Sequence, residues 1–307
     1  MTNYRFHFLS LAFAFIGLSA TAEELHVGIS VSDLSNPFFQ QLARAAEDRA
    51  LELTQGEAKV TVVSSAYDLE RQAAQLQSFA DDGKQIIMLS AASYNGLTES
   101  IDRLRSTGII FVAVDVAAAR TNATITTHNY AAGAMTCKQL ASELDFEGSV
   151  AIVNGPQVSS AIDRVTGCLE VLDSYPAIKV VDTQQNGGGT FDGGFERMTH
   201  LLLAYPELKG VFTINDPSAL GAEQAALAAG RDDLVIVSVD GAPEVKERMR
   251  TGDTLIKGTA AQFPSQIGAK AAEVGVALAR GEPMNRSIWL IDPVQITVKN
   301  VGSFPSW

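Results

Sequence analysis

Short apolar runs alternate along this chain with amphipathic or alanine-rich stretches. The apolar runs are rich in Val, Ile and Leu and nearly free of charge, which is typical of strands buried on both faces of a parallel sheet. The predicted strands are Leu25–Val31, Lys59–Ser64, Gln85–Leu89, Ile109–Val114, Ser149–Val153, Ile178–Thr183, Gly210–Thr213, Leu234–Val239 and Ile256–Ala260.

Helical patterns fill the intervals between these strands. The first helix is predicted to begin at Pro37, with Asn36 as its N-cap, and to continue through Arg49. The other predicted helices are Leu69–Ala80, Gly96–Arg105, Ala131–Leu144, Arg164–Leu172, Phe195–Leu203, Ala219–Ala229 and Ser265–Arg280. Strands that alternate with helices predict a doubly wound α/β fold. Because nine strands would make an unusually large sheet for a chain of this length, we expect two sheets.

Two extended segments interrupt this alternation. Thr121–His128 is polar and extended, and no helix separates it from the strand that precedes it, while Trp289–Val298 contains Pro293. Such connectors are typical of a chain that crosses between two lobes more than once. No low-complexity linker separates the lobes, so we expect them to be hinged side by side.

Residues 1–22 have the pattern of an export signal. Arg5 provides a positive start, Phe6 to Leu18 form an apolar core, and Ala20 to Ala22 offer a small-residue cleavage site. We therefore expect cleavage near Ala22 and a mature protein in the periplasm. Because no cysteine lies near this site, the pattern argues against a bacterial lipid anchor.

Charge and histidine content exclude several functions. The formal net charge is −12 and the acidic residues are dispersed, which argues against nucleic acid as a partner because phosphate binding requires basic patches. The three histidines beyond the signal form no cluster with metal-ligand spacing. We expect neither a metal nor another cofactor.

The chain has two cysteines, Cys137 and Cys168, and both lie beyond the signal. In an oxidising compartment a pair of cysteines is more often bonded than free. Both fall in predicted helices that flank the same predicted strand, so contact between them is geometrically possible. We expect a disulfide, and no catalytic role for either thiol.

Amide and carboxylate side chains recur just past the carboxyl ends of the predicted strands. These positions are Asn36, Ser90, Asp115, Asn154, Asn215, Asp216, Asp240 and Gln262, with Phe38 and Phe39 beside the first of them. Each alone is explained by a turn or a helix cap. Together they converge on the edge where open α/β sheets bind ligands. Carboxylates and amides hydrogen-bond hydroxyl groups and aromatic rings cover C–H faces, so this set favours a polyhydroxy ligand.

Six short motifs, in order along the chain, carry a resemblance to a known family. They are Ser35-Asn-Pro-Phe-Phe39, Thr213-Ile-Asn-Asp216 with Ala219-Leu-Gly-Ala222, Ser238-Val-Asp-Gly241, and Ala261-Gln262 followed by Gln266-Ile-Gly268. Over essentially the whole mature chain, the sequence resembles the ribose-binding type I periplasmic binding proteins, which are the solute-binding proteins of sugar ABC importers. The resemblance implies two Rossmann-like lobes with parallel sheets, joined by a three-segment hinge and closing on a sugar. The implied N-terminal lobe comprises residues 23–127 and 261–290, and the C-terminal lobe residues 128–260 and 291–307.

The resemblance also implies a set of ligand-binding residues. By position these are Asn36, Phe38, Phe39 and Asp115 from the first lobe, and Asn215, Asp240 and Gln262 from the second lobe and the hinge. The chain departs from the family pattern at several places. Ser90 replaces an asparagine, Val116 and Ile162 stand where two arginines occur, Arg164 remains, and Phe191 is the nearest match to the second-lobe aromatic. These departures leave open a different pentose, a deoxy or methyl sugar, or a linear polyol.

Other functions fit the sequence less well. A Rossmann enzyme would need a glycine-rich phosphate turn after the first strand, and a hydrolase would need a nucleophile elbow; neither motif occurs. We expect a monomeric binding protein, not an enzyme, whose partners are a sugar or polyol and a membrane ABC permease. A periplasmic receptor that reports its ligand to a chemoreceptor or a sensor kinase is the alternative.

Overall fold

The computed structural model describes residues 24–304. The predicted export signal lies outside these residues. The strands are β1 (Leu25–Val31), β2 (Ala58–Ser64), β3 (Ile86–Leu89), β4 (Ile110–Val114), β5 (Ala123–Thr127), β6 (Gly148–Asn154), β7 (Ile178–Asn186), β8 (Leu208–Thr213), β9 (Val235–Asp240), β10 (Ile256–Ala261), β11 (Ile288–Ile291) and β12 (Val294–Thr297). The helices are α1 (Pro37–Leu53), α2 (Leu69–Asp81), α3 (Thr98–Arg105), α4 (Asn129–Glu143), α5 (Ser159–Asp173), α6 (Phe191–Ala204), α7 (Asp216–Ala228), α8 (Pro243–Thr251) and α9 (Pro264–Ala279), with a 3₁₀ turn at Val301–Ser303.

The strands form two six-stranded sheets. Their orders are β11-β5-β4-β3-β1-β2 and β12-β10-β9-β8-β6-β7. All pairs are parallel except β10 with β12, which is antiparallel. The predicted α/β architecture with two sheets is confirmed. The two segments predicted to be extended form β5, β11 and β12, so both sheets gain a strand from the last part of the chain.

Helices cover both faces of each sheet. In the first sheet, α1 and α9 pack on one face and α2 and α3 on the other, while in the second, α4 and α5 lie opposite α6, α7 and α8. A buried apolar cluster lies between each sheet face and the helices that cover it, because the strands carry apolar side chains on both sides. Within residues 24–304, no helix is long and apolar enough to cross a membrane.

The chain passes between the sheets three times. It leaves β5 through His128 to reach α4, leaves β10 through Gln262 and Phe263 to reach α9, and leaves β11 through Asp292 and Pro293 to reach β12. Consequently Ala261 belongs to a strand of the second sheet and Ile291 to a strand of the first. The carboxyl ends of the parallel strands in both sheets lie near these passages.

Cys137 of α4 and Cys168 of α5 are joined by a disulfide, with their Cα atoms 5.0 Å apart. Both side chains are fully buried beside β6. The bond closes a loop spanning 31 residues, which reduces the entropy of the unfolded chain.

Replacing both cysteines by serine is therefore expected to lower the free energy of unfolding by about 3 kcal/mol. Chemical denaturation of the oxidised protein and of the double variant measures this difference. Reduced wild-type protein is the matched control and should resemble the variant. Equal stability of the oxidised and reduced proteins would contradict the expectation.

Candidate binding cleft

A narrow cavity lies between the carboxyl edges of the two sheets, and we call it the cleft. All the predicted site residues except Ser90 line it: Asn36, Phe38, Phe39, Asp115, Arg164, Asn215, Asp240 and Gln262. It is completed by Tyr67, Val116, Pro156, Val158, Ser160, Ala161 and Ile214. Residues far apart in the sequence thus meet at one place because the parallel strands of each sheet end together.

The first helix supplies an aromatic wall. Asn36 is the N-cap of α1, and its Oδ1 accepts a hydrogen bond from the backbone N–H of Phe38 at 2.9 Å, as the sequence predicts. The rings of Phe38 and Phe39 meet edge to face with centroids 5.2 Å apart. Both rings are buried and line the cleft. The wall therefore offers apolar surface and, at Asn36, a polar rim.

Asp115 follows β4 in a left-handed backbone conformation with φ of 60°. Its side chain is 4% exposed, and its Oδ1 has no hydrogen-bond partner. Burial raises the pKa of this carboxyl to about 7, Arg164 opposes the shift, and Asp240 adds to it. Asp115 thus presents an unsatisfied buried acceptor to the cleft.

Asp240 ends β9 on the opposite side of the cleft. Its Oδ1 accepts a hydrogen bond from Gln262 Nε2 at 2.7 Å and lies 3.8 Å from Arg164 Nη1, while its Oδ2 accepts from the backbone N–H of Asp216 at 3.3 Å. Burial raises its pKa, and Arg164 opposes this. The side-chain oxygen of Gln262, Oε1, is also buried and has no hydrogen-bond partner. Asp115 of the first lobe and Gln262 of the passage between the sheets therefore each present an open oxygen acceptor.

Arg164 is held by residues of two other elements. Its Nε donates to Asn129 Oδ1 at 2.8 Å and its Nη1 donates to the carbonyl oxygen of Ile214 at 2.8 Å. The side chain is almost completely buried. These bonds orient the guanidinium toward Asp240, and so the structure places Arg164 in the cleft.

Asp216 lies directly beneath the cleft and outside its lining. Its carboxylate accepts hydrogen bonds from Ser238 Oγ, from Thr259 Oγ1 at 2.7 Å and from the backbone N–H of Ala242 at 2.6 Å. Burial and the neighbouring Asp240 raise its pKa, and these donors oppose the shift. Asp216 thereby ties together the ends of β8, β9 and β10, which carry Asn215, Asp240 and Gln262.

Comparison with known proteins decides the family. The model of the periplasmic binding protein domain matches residues 27–283. The chain belongs to this family.

Two curated relatives and one solved structure illustrate the similarity. The ribose import binding protein of Bacillus subtilis is 27% identical over 273 residues, 88% of this chain and 87% of the relative. The D-apiose import binding protein of Actinobacillus succinogenes is 30% identical over 241 residues, 77% and 76% of the two chains. The Caulobacter myo-inositol binding protein bound to myo-inositol is 25% identical with a TM-score of 0.84, covering 94% of this chain and 98% of that one.

Three positions at which the chain departs from the family pattern, Ser90, Phe191 and Ile162, are not among the residues that line the cleft of this periplasmic binding protein. Ser90 is fully buried: its Oγ lies 2.9 Å from Ser32 Oγ, and its carbonyl accepts a hydrogen bond from Gln72 Nε2. Phe191 begins α6 and lines an outer groove between α7 and α8 instead. Ile162 is 47% exposed. Ser90 is therefore not among the residues that line the cleft, and its contact with a ligand stays a prediction.

Tyr67 lines the cleft but is not among the site residues predicted from the sequence. It follows β2, and both Tyr67 and Ala66 have positive φ. Because neither residue is a glycine, the sequence gives no sign of this backbone conformation. Burial raises the pKa of its phenol, and Asp115 contributes to the shift. Its position at a strand end is the one signal that points to it.

The buried carboxyls of the cleft predict how stability depends on pH. A carboxyl whose pKa rises from 3.8 to about 7 on folding, as at Asp115, stabilises the fold when protonated, and this contribution is lost as the pH rises through 7. We therefore expect the ligand-free protein to melt at a lower temperature at about pH 8 than at about pH 5.

Thermal melts of ligand-free protein at these two pH values test this expectation. The Asp115→Asn variant cannot ionise at this position, so its melting temperature should change less between them. A wild-type protein that is more stable at the higher pH would contradict the assignment.

Proposed function

We propose that this chain is an exported solute-binding protein that captures a sugar or polyol in the cleft and delivers it to an ABC importer. The observation that carries this proposal is the pair of buried, unpartnered acceptors, Asp115 Oδ1 and Gln262 Oε1, on two residues that line the same cavity. A buried polar atom without a partner costs about 1–3 kcal/mol. Hydroxyl groups of a bound ligand supply the missing donors.

The remaining lining fits the same class of ligand. Phe38 and Phe39 cover C–H faces, Arg164 and Asn36 provide donors, and Asp240 provides a charged acceptor. The relatives named above are, by name, import binding proteins for ribose and for D-apiose. Their names support a small polyhydroxy ligand and transport as the purpose of binding. In transport, a membrane permease binds the ligand-loaded protein. In the alternative function, a chemoreceptor or a sensor kinase binds the same ligand-loaded form.

The deciding experiment is a thermal-shift screen of the purified mature protein against pentoses, hexoses, deoxy sugars and linear polyols. A ligand that binds only the folded state raises the melting temperature. Isothermal calorimetry of each hit then gives the affinity and stoichiometry. Absence of any shift across the panel at millimolar concentration would overturn the proposal.

We infer that the lobes are in their closed arrangement. The backbone N–H of Ala117 donates to Ser159 Oγ at 2.9 Å across the cleft, and Val116 and Ala118 belong to one buried apolar cluster with Val158 and Ala161. These contacts join the segment after β4 to the start of α5. The hinge that releases them comprises the three passages between the sheets, predicted at Thr126–His128, Ala261–Phe263 and Ile291–Pro293.

Because the ligand contacts both lobes only when they are closed, it should shift the population toward this arrangement. The radius of gyration measured by small-angle scattering is expected to fall when the identified ligand is added. A sugar that gives no thermal shift serves as the control. An unchanged radius of gyration at a saturating ligand concentration would show that the lobes do not close when the ligand binds.

A further inference from the structure

The charged groups that line the cleft do not balance. Asp115 and Asp240 are carboxylates, Arg164 is the one cationic side chain among the lining residues, and the phenol of Tyr67 is neutral. With both carboxyls ionised, the lining carries a net charge of −1, from two negative groups and one positive group. The chain as a whole is acidic too, with a formal net charge of −12.

Among the cleft carboxylates, Arg164 forms an ion pair with Asp240. Arg164 Nη1 lies 3.8 Å from Asp240 Oδ1, and the arginine is fixed there by Asn129 and by the carbonyl oxygen of Ile214. Asp240 also accepts a hydrogen bond from Gln262. The carboxyl on the other side of the cleft therefore has no ion-pair partner among the described residues.

That opposite carboxylate is Asp115. It makes no ion pair with any described residue, its Oδ1 has no partner, and its side chain is 96% buried, the complement of its 4% exposure. The next residue, Val116, lines the cleft with an apolar side chain. Asp115 thus has neither a counter-ion nor a full set of donors.

Building on the proposed function, we propose that the ligand is an amino sugar or amino polyol whose ammonium group binds Asp115. A hydroxyl would satisfy the open Oδ1, but the carboxyl would then remain either neutral, the form that burial favours, or ionised without an ion-pair partner in a closed cavity. An ammonium supplies both a donor and the missing positive charge. The ligand's hydroxyl groups then reach Gln262 and Asp240, and its C–H surface faces Phe38 and Phe39. Anionic ligands such as sugar acids and sugar phosphates are disfavoured.

Matched pairs of compounds test this inference by calorimetry at about pH 7, where aliphatic amines carry a proton. Suitable pairs are 2-amino-1,3-propanediol with glycerol, D-glucosamine with D-glucose, and 1-amino-1-deoxyglucitol with glucitol. In at least one pair, the amino member is expected to bind tenfold or more tightly than its neutral partner. The Asp115→Asn variant should lose this preference, whereas Glu244→Gln, which removes an exposed carboxylate on α8, should retain it.

The outcomes separate this inference from the proposed function. Neutral members that bind as tightly as the amino members overturn the inference and leave the sugar or polyol function standing. No binding by any sugar, polyol or amino compound overturns both. Because the wild-type comparison needs no variant, the test stands even if Asp115→Asn fails to fold, and a melting curve of that variant shows whether it does.

Discussion

Replacing Asp240 by alanine is expected to weaken ligand binding by about 2–4 kcal/mol, a loss of roughly two orders of magnitude in affinity. The change removes a charged acceptor from the cleft. It also leaves Arg164 and Gln262 Nε2 without their carboxylate partner. Breaking one side of a buried charge pair is costly because the remaining charge is uncompensated.

Calorimetry with the ligand found in the screen measures this loss. Asp240→Asn keeps one oxygen acceptor and should lose less affinity than the alanine variant. The exposed Asp253→Ala serves as the surface control and should bind normally. Circular dichroism must show that Asp240→Ala is folded. Unchanged affinity in a folded Asp240→Ala protein would contradict the assignment of Asp240 to the ligand site.

The strands could be predicted because their signal is local. β1 occupies Leu25–Val31 as predicted, and the other predicted strands lie within a few residues of their observed bounds. Buried parallel strands are apolar throughout, so they stand out from the helices. Helix α8 is absent from the prediction because only Val245, Lys246 and Met249 of its residues are buried, which leaves a short and mostly charged segment.

The position of a strand end could be predicted, but the direction of a side chain could not. Asp115 and Ser90 both follow strands of the first sheet, yet Asp115 lines the cleft and the Ser90 hydroxyl lies 2.9 Å from Ser32 Oγ. Helix α2 holds the backbone here, because Gln72 Nε2 donates to the carbonyl oxygen of Ser90 and Gln72 Oε1 accepts from the backbone N–H of Ala92. Contacts of this kind join residues far apart in the chain, so they cannot be predicted from the local pattern of apolar and polar residues.

The placement of Arg164 depends on a close approach between α4 and α5. A Cβ built on Gly133 of α4 would lie 2.6 Å from the carbonyl carbon and 2.8 Å from the Cα of Arg164. Backbone atoms cannot yield as a flexible side chain would. The glycine is therefore required by packing, and it fixes how far the backbone of Arg164 stands from Asn129 at the start of α4.

Gly133→Ala is accordingly expected to force the two helices apart. Overpacking of this kind costs about 1–3 kcal/mol of stability. The Cys137–Cys168 disulfide joins the same helices and resists their separation, so the strain should reach Arg164 instead of relaxing away. Displacement of Arg164 lengthens its bonds to Asn129 and Ile214, and we expect ligand affinity to fall by about tenfold, which corresponds to one charge-assisted hydrogen bond.

Thermal melting and calorimetry of Gly133→Ala measure the two effects together. Gly302→Ala is the matched control, because the same methyl group there meets no atom within 4 Å and its stability should be unchanged. A folded Gly133→Ala protein with wild-type affinity would show that α5 can shift without moving the guanidinium. The bonds to Asn129 and Ile214, and not the helix contact, would then be what holds Arg164 against Asp240.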